Sequence, residues 1–198
     1  MNAVGLLSVW HPTLIENYFS ASNNVIFVDL DLKCFNTIWR TINVYGPYFD
    51  HKTFWDNPLS SGILWNSTTT LGGYVSFTTY VREFWGPFPR EDPLEDYFCS
   101  PFEFRQLVNI FLIKLSLTWR NLRIGVDVNS KRLDKFYVYE SIIANNIILK
   151  SWVESGGISN HNPLLLCLDS KDENPPTPFM FIVSWLKDTG FIKIVEES

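Results

Sequence analysis

Alternation between apolar and polar positions predicts a chain built largely from short strands. Val25–Leu32 is rich in apolar residues, and Asp29 and Asp31 lie on one face of it. Residues 39–44 alternate cleanly, and Tyr45-Gly46-Pro47 should end that strand because Gly-Pro begins a loop. Weaker patterns of the same kind predict strands over residues 71–77, 115–119, 132–138, 145–152 and 164–168.

Helical signals are fewer. Residues 101–113 form the best helix candidate, because Phe104, Leu107, Val108 and Phe111 fall on one stripe and Pro101 lies near the first turn. Residues 52–64 favour a helix less, since Pro58 interrupts them. The mixture predicts an α/β (α+β) sandwich with mostly antiparallel sheets. We expect one domain over residues 1–170, followed over 171–198 by a polar linker and a short helical tail.

Composition and charge narrow the class of protein. The 198 residues are 46% hydrophobic and 16% aromatic, which is typical of one globular domain with a sizeable core. The net charge of −5 argues against a tight grip on nucleic acid, so we expect weak binding at most. No secretory leader or membrane-spanning run is recognisable, and the spacing of Cys34, Cys99 and Cys167 predicts neither a zinc site nor a disulfide-linked partner. A nuclear or cytoplasmic location is expected.

One stretch is locally basic. Residues 114–135 contain six basic side chains against Asp127 and Asp134. The candidates for contacts with a phosphate backbone are Lys131, Arg132 and Lys135. A solvated loop surface is the alternative explanation of the same charges.

Several motifs occur in a characteristic order. They are Val44-Tyr45-Gly46-Pro47 with Phe54-Trp55, Leu71-Gly72-Gly73-Tyr74-Val75-Ser76, Thr118-Trp119-Arg120-Asn121, Arg132-Leu133-Asp134, Ser159-Asn160-His161-Asn162-Pro163, Pro178-Phe179 and Trp185-Leu186. The ordered set resembles the DNase I-like endonuclease/exonuclease/phosphatase family, and within it the endonuclease domain of plant LINE-type non-LTR retrotransposons. The resemblance implies a four-layer α/β sandwich, of two mostly antiparallel sheets flanked by helices, that cleaves phosphodiesters with Mg²⁺. It also implies that the first family strands, with an asparagine and a glutamate of the site, are missing here.

Departures from the family pattern concentrate at the implied active site. Tyr74 replaces an aspartate, Ser76 replaces an asparagine, and Asn160 replaces the aspartate beside the histidine. A tyrosine is neutral near pH 7 and cannot act as the base that the family uses. His161, Asp134 and Tyr45 are the implied catalytic remnants. We therefore expect an inactive, truncated and degenerate copy that binds no cofactor, although the family uses magnesium.

Two alternatives stay open. An active nuclease would recruit metal ligands elsewhere, with Asp29, Asp31 and Glu83 as candidates. A binding module for nucleic acid or protein would use the basic 114–135 face, with or without aromatic stacking by residues 77–88. Each surviving site residue could also fill a structural position only. Missing strands would leave a sheet edge unpaired, so the isolated chain is expected to be marginally stable or prone to aggregation.

Overall fold

Short strands dominate the described part of the protein. The computed structural model describes residues 6–11, 14–22, 24–32, 35–60, 68–104, 106–145, 147–156 and 159–170. The strands are β1 Ile15–Ala21, β2 Val25–Leu32, β3 Thr37–Tyr45, β4 Thr69–Tyr74, β5 Phe84–Trp85, β6 Leu107–Asn109, β7 Trp119–Arg120, β8 Ser130–Lys131, β9 Asp134–Tyr139, β10 Ile147–Val153 and β11 Leu164–Ser170. The α-helices are α1 His51–Ser60, α2 Glu95–Phe104 and α3 Glu140–Ala144.

The largest sheet in the described ranges has six strands, in the order β1-β2-β3-β4-β9-β6. Its pairs are antiparallel except β3 and β4, which run parallel, and the connection between these two strands contains α1 as a parallel crossover requires. Strands β10 and β11 form an antiparallel pair, and β5, β8 and β7 form a small three-stranded sheet. The predicted class, α/β with mostly antiparallel sheets, is confirmed.

Both faces of the six-stranded sheet are covered, as alternation along β9 illustrates. Tyr137 points toward the helices and belongs to a core that contains Trp55 of α1 and Phe102 of α2. Its neighbour Val138 points the other way, into a core against which the β10–β11 pair contributes Leu149 and Leu166. Successive strand residues face opposite sides, so one strand supplies both cores. The sheet therefore lies between a helical layer and a second sheet.

Two adjacent glycines in β4 are required by close contacts. A Cβ atom at Gly72 would lie 2.4 Å from the ring of Phe136 on β9. Gly73 has φ +124°, and a Cβ atom there would lie 2.3 Å from the carbonyl oxygen of Val44. Glycine alone adopts this backbone conformation without strain, so the pair fixes where β4 approaches its neighbours.

The helix predicted over residues 101–113 is wrong. Helix α2 ends at Phe104, Gln106 takes a left-handed conformation with φ +56°, and residues 107–109 form β6. The apolar stripe is real, but Leu107 is buried through pairing with Tyr139 on β9, while Phe104 is 85% exposed. A neighbouring strand with free backbone groups has overridden the local helical pattern.

Other elements differ from the prediction in smaller ways. Residues 52–64 are a weak helix candidate in the sequence, yet the chain forms α1 over His51–Ser60, where the completely buried Trp55 anchors the helix. Strand β1 and helix α3 were not predicted, and of residues 115–119 only Trp119 lies in a strand. The motifs at Pro178-Phe179 and Trp185-Leu186, and the whole predicted tail 171–198, lie outside the described residues. No helix in the described ranges combines the length and apolar character that crossing a bilayer demands.

Candidate functional site

Three of the implied site residues lie in one row across the end of the six-stranded sheet. Tyr45 is the register partner of Tyr74 in the β3–β4 pair, and Tyr74 is the partner of Asp134 in the β4–β9 pair. Partners in register point to the same face of a sheet, so the three side chains line up. The rings of Tyr45 and Tyr74 lie 5.0 Å apart between centroids. Motifs separated by up to 89 residues are thus joined by strand register.

Thr118 brings the histidine segment to this row. Its buried hydroxyl oxygen accepts hydrogen bonds from the backbone N–H groups of Leu133 and Asp134, both at 2.9 Å. Its carbonyl oxygen accepts one from the N–H of Asn162 at 2.8 Å, and Trp119 forms a β-bridge with His161. A single buried threonine therefore connects the segment of Asp134 with the segment of His161, and this gives the threonine-tryptophan motif a structural role in the site. Sequence reasoning assigned Thr118 no such role.

His161 and Asp134 are in direct contact. The Nδ1 atom of His161 lies 2.9 Å from Oδ2 of Asp134, and their side chains are 29% and 16% exposed. With Nδ1–H donating to the carboxylate, Nε2 is left with a lone pair that can accept a proton. The pair has the geometry of an oriented histidine base.

Tyr74 occupies the space beside that histidine. Its ring lies edge-on to His161 at 5.3 Å between centroids, and the residue is only 7% exposed. Burial, together with the nearby Tyr48, Tyr45 and Asp134, raises the pKa of Tyr74 above its usual value. Burial likewise raises the pKa of Tyr45. Both phenols stay protonated at physiological pH, so neither can serve as a carboxylate-like base or ligand.

The other two replaced positions make different contacts. Asn160 accepts a hydrogen bond from the N–H of Arg120 through its backbone carbonyl at 2.9 Å. Ser76 has φ +66°, and its Oγ lies 3.0 Å from Nδ1 of His51 and 3.0 Å from the carbonyl oxygen of Pro47. Sequence reasoning gave His51 no role, because nothing in its immediate surroundings connects it with a serine 25 residues later.

Two of the three predicted phosphate contacts lie inside the protein. The side chains of Arg132 and Lys135 have no exposed surface, and both contact Glu83, at 2.6 Å and 2.5 Å. Burial pushes the pKa of Glu83 up, but the two cations outweigh it and the net pKa is lowered. Burial lowers the pKa of Lys135 to about 8, against the opposing effect of Glu83. This placement is incompatible with phosphate contact, and it also removes Glu83 as a candidate metal ligand.

Lys131 is the one of the three that reaches a surface cavity. Its ammonium lies 4.9 Å from the ring centre of Phe84, and partial burial lowers its pKa. The cavity has a volume of about 570 Å³ and also contains Ser76 and His51. Its walls combine aromatic and basic side chains, namely Tyr48, Tyr74, Phe84, Phe88, Trp119, Arg90 and Arg123.

Among the described residues, the donor set around His161 does not fit a magnesium ion. Mg²⁺ prefers charged carboxylates, and the side chains aligned there are one carboxylate, Asp134, and two neutral phenols, Tyr45 and Tyr74. Asp29, proposed as an alternative ligand, instead accepts two hydrogen bonds of 2.7 Å from the guanidinium of Arg40. Within the described ranges, His, Cys, Asp and Glu side chains do not gather in threes as a metal site requires.

Comparison with known proteins gives structural neighbours only. No protein-family model matches the chain, and no curated protein matches it significantly. The structure is similar to the endonuclease domain of TRAS1, a telomere-specific non-LTR retrotransposon, with a TM-score of 0.66 and 13% sequence identity, covering 83% of this chain and 73% of that one. It is also similar to the AP endonuclease LMAP from Leishmania major, with a TM-score of 0.53 and 13% identity, covering 72% of this chain and 53% of that one. At this identity the likeness shows the fold alone, which is DNase I-like.

Proposed function

We propose that this chain is a retrotransposon-type endonuclease domain that hydrolyses phosphodiesters no faster than background. The single observation that carries the proposal is the packing of Tyr74, a buried and neutral phenol, against the ring of His161. The DNase I-like fold and the ordered motifs support descent from a nuclease. The finer assignment to plant LINE-type elements rests on the motifs alone.

The His161–Asp134 pair by itself accounts for only part of a phosphodiesterase. An oriented histidine can move a proton, a contribution of about 10²–10⁴-fold in rate. Phosphodiester cleavage in this fold also needs charge stabilisation on the phosphate, which a hard cation held by carboxylates supplies. Tyr45 and Tyr74 offer hydroxyl groups to the phosphate and no negative charge to a cation. The remnant geometry therefore orients a proton acceptor without the rest of the machinery.

The alternative of a nucleic-acid-binding module receives little support from the contacts. Of the six basic residues in segment 114–135, Arg132 and Lys135 are buried against Glu83. Their charges are paired with a buried carboxylate and cannot contact DNA phosphates or release counterions from them. We therefore do not propose binding through the 114–135 face.

A plasmid-nicking assay tests the proposal. We expect supercoiled plasmid to remain intact with Mg²⁺ or Mn²⁺ at protein concentrations where an active DNase I-like enzyme relaxes it completely. His161→Ala should behave as the wild type does, and so should His11→Ala, a control at an exposed position of the N-terminal segment. Nicking that requires the metal, stops with EDTA and disappears in His161→Ala but not in His11→Ala would refute the proposal.

A further inference from the structure

Ser76 and His51 form a hydrogen-bonded pair with the arrangement of a nucleophile and its base. Oγ of Ser76 lies 3.0 Å from Nδ1 of His51, and Nε2 of His51 lies 3.1 Å from the carbonyl oxygen of Tyr48. A carbonyl oxygen only accepts, so Nε2 carries the hydrogen and Nδ1 of the neutral ring is left as an acceptor facing the serine. A serine, a histidine acceptor and a third group that orients the histidine are the recognised signature of an activated nucleophile.

The backbone at Ser76 is strained. Its φ of +66° lies in the left-handed region, which a residue with a Cβ atom rarely occupies. The hydroxyl hydrogen has two acceptors within reach, Nδ1 of His51 and the carbonyl oxygen of Pro47, each at 3.0 Å. Rotation about Cβ–Oγ exchanges one for the other. Strain of this kind clusters at reactive sites, because it fixes a side chain in a direction that a relaxed backbone would not give it.

The cavity around the pair is suited to a small ligand. Its volume of about 570 Å³ lies in the range of small-molecule sites, roughly 300–1,000 Å³. Phe84, Phe88 and Trp119 offer aromatic surfaces, while Arg90, Arg123 and Lys131 outnumber the one lining carboxylate, Asp127. The walls therefore favour a ligand that combines an aromatic ring with a negative charge. The same cations add positive charge to the cavity that contains Ser76.

We propose that Ser76 and His51 constitute a nucleophilic dyad that hydrolyses anionic aryl esters. Oγ of Ser76 attacks the ester carbonyl carbon while its proton passes to Nδ1 of His51. The bond between the acyl carbon and the aryloxy oxygen breaks, the leaving phenoxide takes the proton from Nδ1 of His51, and an acyl-serine remains. Water then adds to the acyl carbon as Nδ1 accepts its proton, and the proton returns to Oγ as the carboxylic acid leaves. The steps involve no change of oxidation state.

Covalent labelling of the wild-type chain provides the test. The protein is treated with a fluorophosphonate, which reacts with activated serines, and the modified residue is located by peptide mass spectrometry. We expect an adduct on Ser76. After the self-catalysed hydrolysis of each ester without protein is subtracted, we expect turnover of mono-(4-nitrophenyl) succinate faster than that of neutral 4-nitrophenyl acetate. His51→Ala should slow labelling of Ser76 by about 10²-fold or more, the contribution of a general base. Ser22→Ala, an exposed serine in the turn after β1, should leave labelling unchanged.

Several results would overturn the dyad. Wild-type protein with no adduct on Ser76, or with Ser76 labelled no faster than other serines, is decisive without any variant. Labelling of Ser76 at an undiminished rate in a folded His51→Ala protein, checked by circular dichroism, is equally decisive. The readout is ester chemistry at Ser76, so failure here is distinct from failure of the plasmid-nicking prediction at His161.

Discussion

Replacing Glu83 by alanine should cost much of the stability of this protein. Glu83 is 1% exposed and neutralises two cations with no exposed surface, Arg132 and Lys135. It also accepts a 2.7 Å hydrogen bond from the N–H of Thr79. Its removal leaves both cations buried and unpaired. Breaking a buried pair in this way costs about 3–5 kcal/mol.

The magnitude has a limit that the structure also sets. Burial already lowers the pKa of Lys135 to about 8. Without Glu83 the pKa of Lys135 falls further, so a larger share of its side chains is neutral near pH 7 and part of the penalty is avoided. Arg132 cannot lose its proton and keeps the full penalty. We therefore expect a loss of about 4 kcal/mol, a large share of the total stability of about 5–15 kcal/mol typical of folded domains.

Urea unfolding followed by tryptophan fluorescence measures this loss, since the chain has eight tryptophans. With a slope of about 2 kcal/mol per molar urea, the midpoint should fall by about 2 M. Glu91→Ala, at an exposed glutamate, should stay within about 0.5 kcal/mol of the wild type. Adding Lys135→Met to Glu83→Ala should recover part of the loss, because it removes a buried amine that must either stay charged without a carboxylate partner or give up its proton. A loss below about 1 kcal/mol in Glu83→Ala would show that the three charges do not depend on one another.

Three other predictions concern the pH dependence of Glu83, the glycine in β4 and the aromatic core. The pKa of Glu83 is lowered on folding, so its stabilising effect is fully present above the ordinary glutamate pKa of about 4.3 and is lost as the pH falls through the lowered pKa of the folded state. The urea midpoint of the wild type should therefore decline from pH 7 to pH 3, and the midpoint of Glu83→Gln should decline less. Gly73→Ala should destabilise the fold by at least about 1–3 kcal/mol, because the added Cβ atom would lie 2.3 Å from the carbonyl oxygen of Val44 and φ is +124°. Gly125→Ala, with φ +75° and open space around it, should cost less when measured by the same urea unfolding. Trp55→Ala should cost about 3–5 kcal/mol, because Trp55 is completely buried in the aromatic core. Phe104→Ala, at an 85% exposed position, should cost well under 1 kcal/mol. Equal losses in the two variants would contradict this packing.

Much of the strand pattern followed from the sequence, because alternation and turn residues act locally. Strand β2 has the predicted limits, and β3 ends at Tyr45, directly before Gly46-Pro47. The order of motifs also implied a DNase I-like fold, which the structural neighbours support. These features depend on a few consecutive residues or on their order along the chain, so they can be read without coordinates.

Side-chain destinations depended on tertiary structure. Arg132 and Lys135 looked like surface cations in a basic segment, yet both are buried because Glu83, about 50 residues earlier, turns inward to meet them. The stripe at Leu107 and Val108 favoured a helix, but β9 offered backbone partners and made it a strand. Ser76 met His51 because α1 begins beside the loop that follows β4. Sequence determines local periodicity, whereas burial and partnership depend on which distant segments the packed sheet brings together, and no local pattern carries that information.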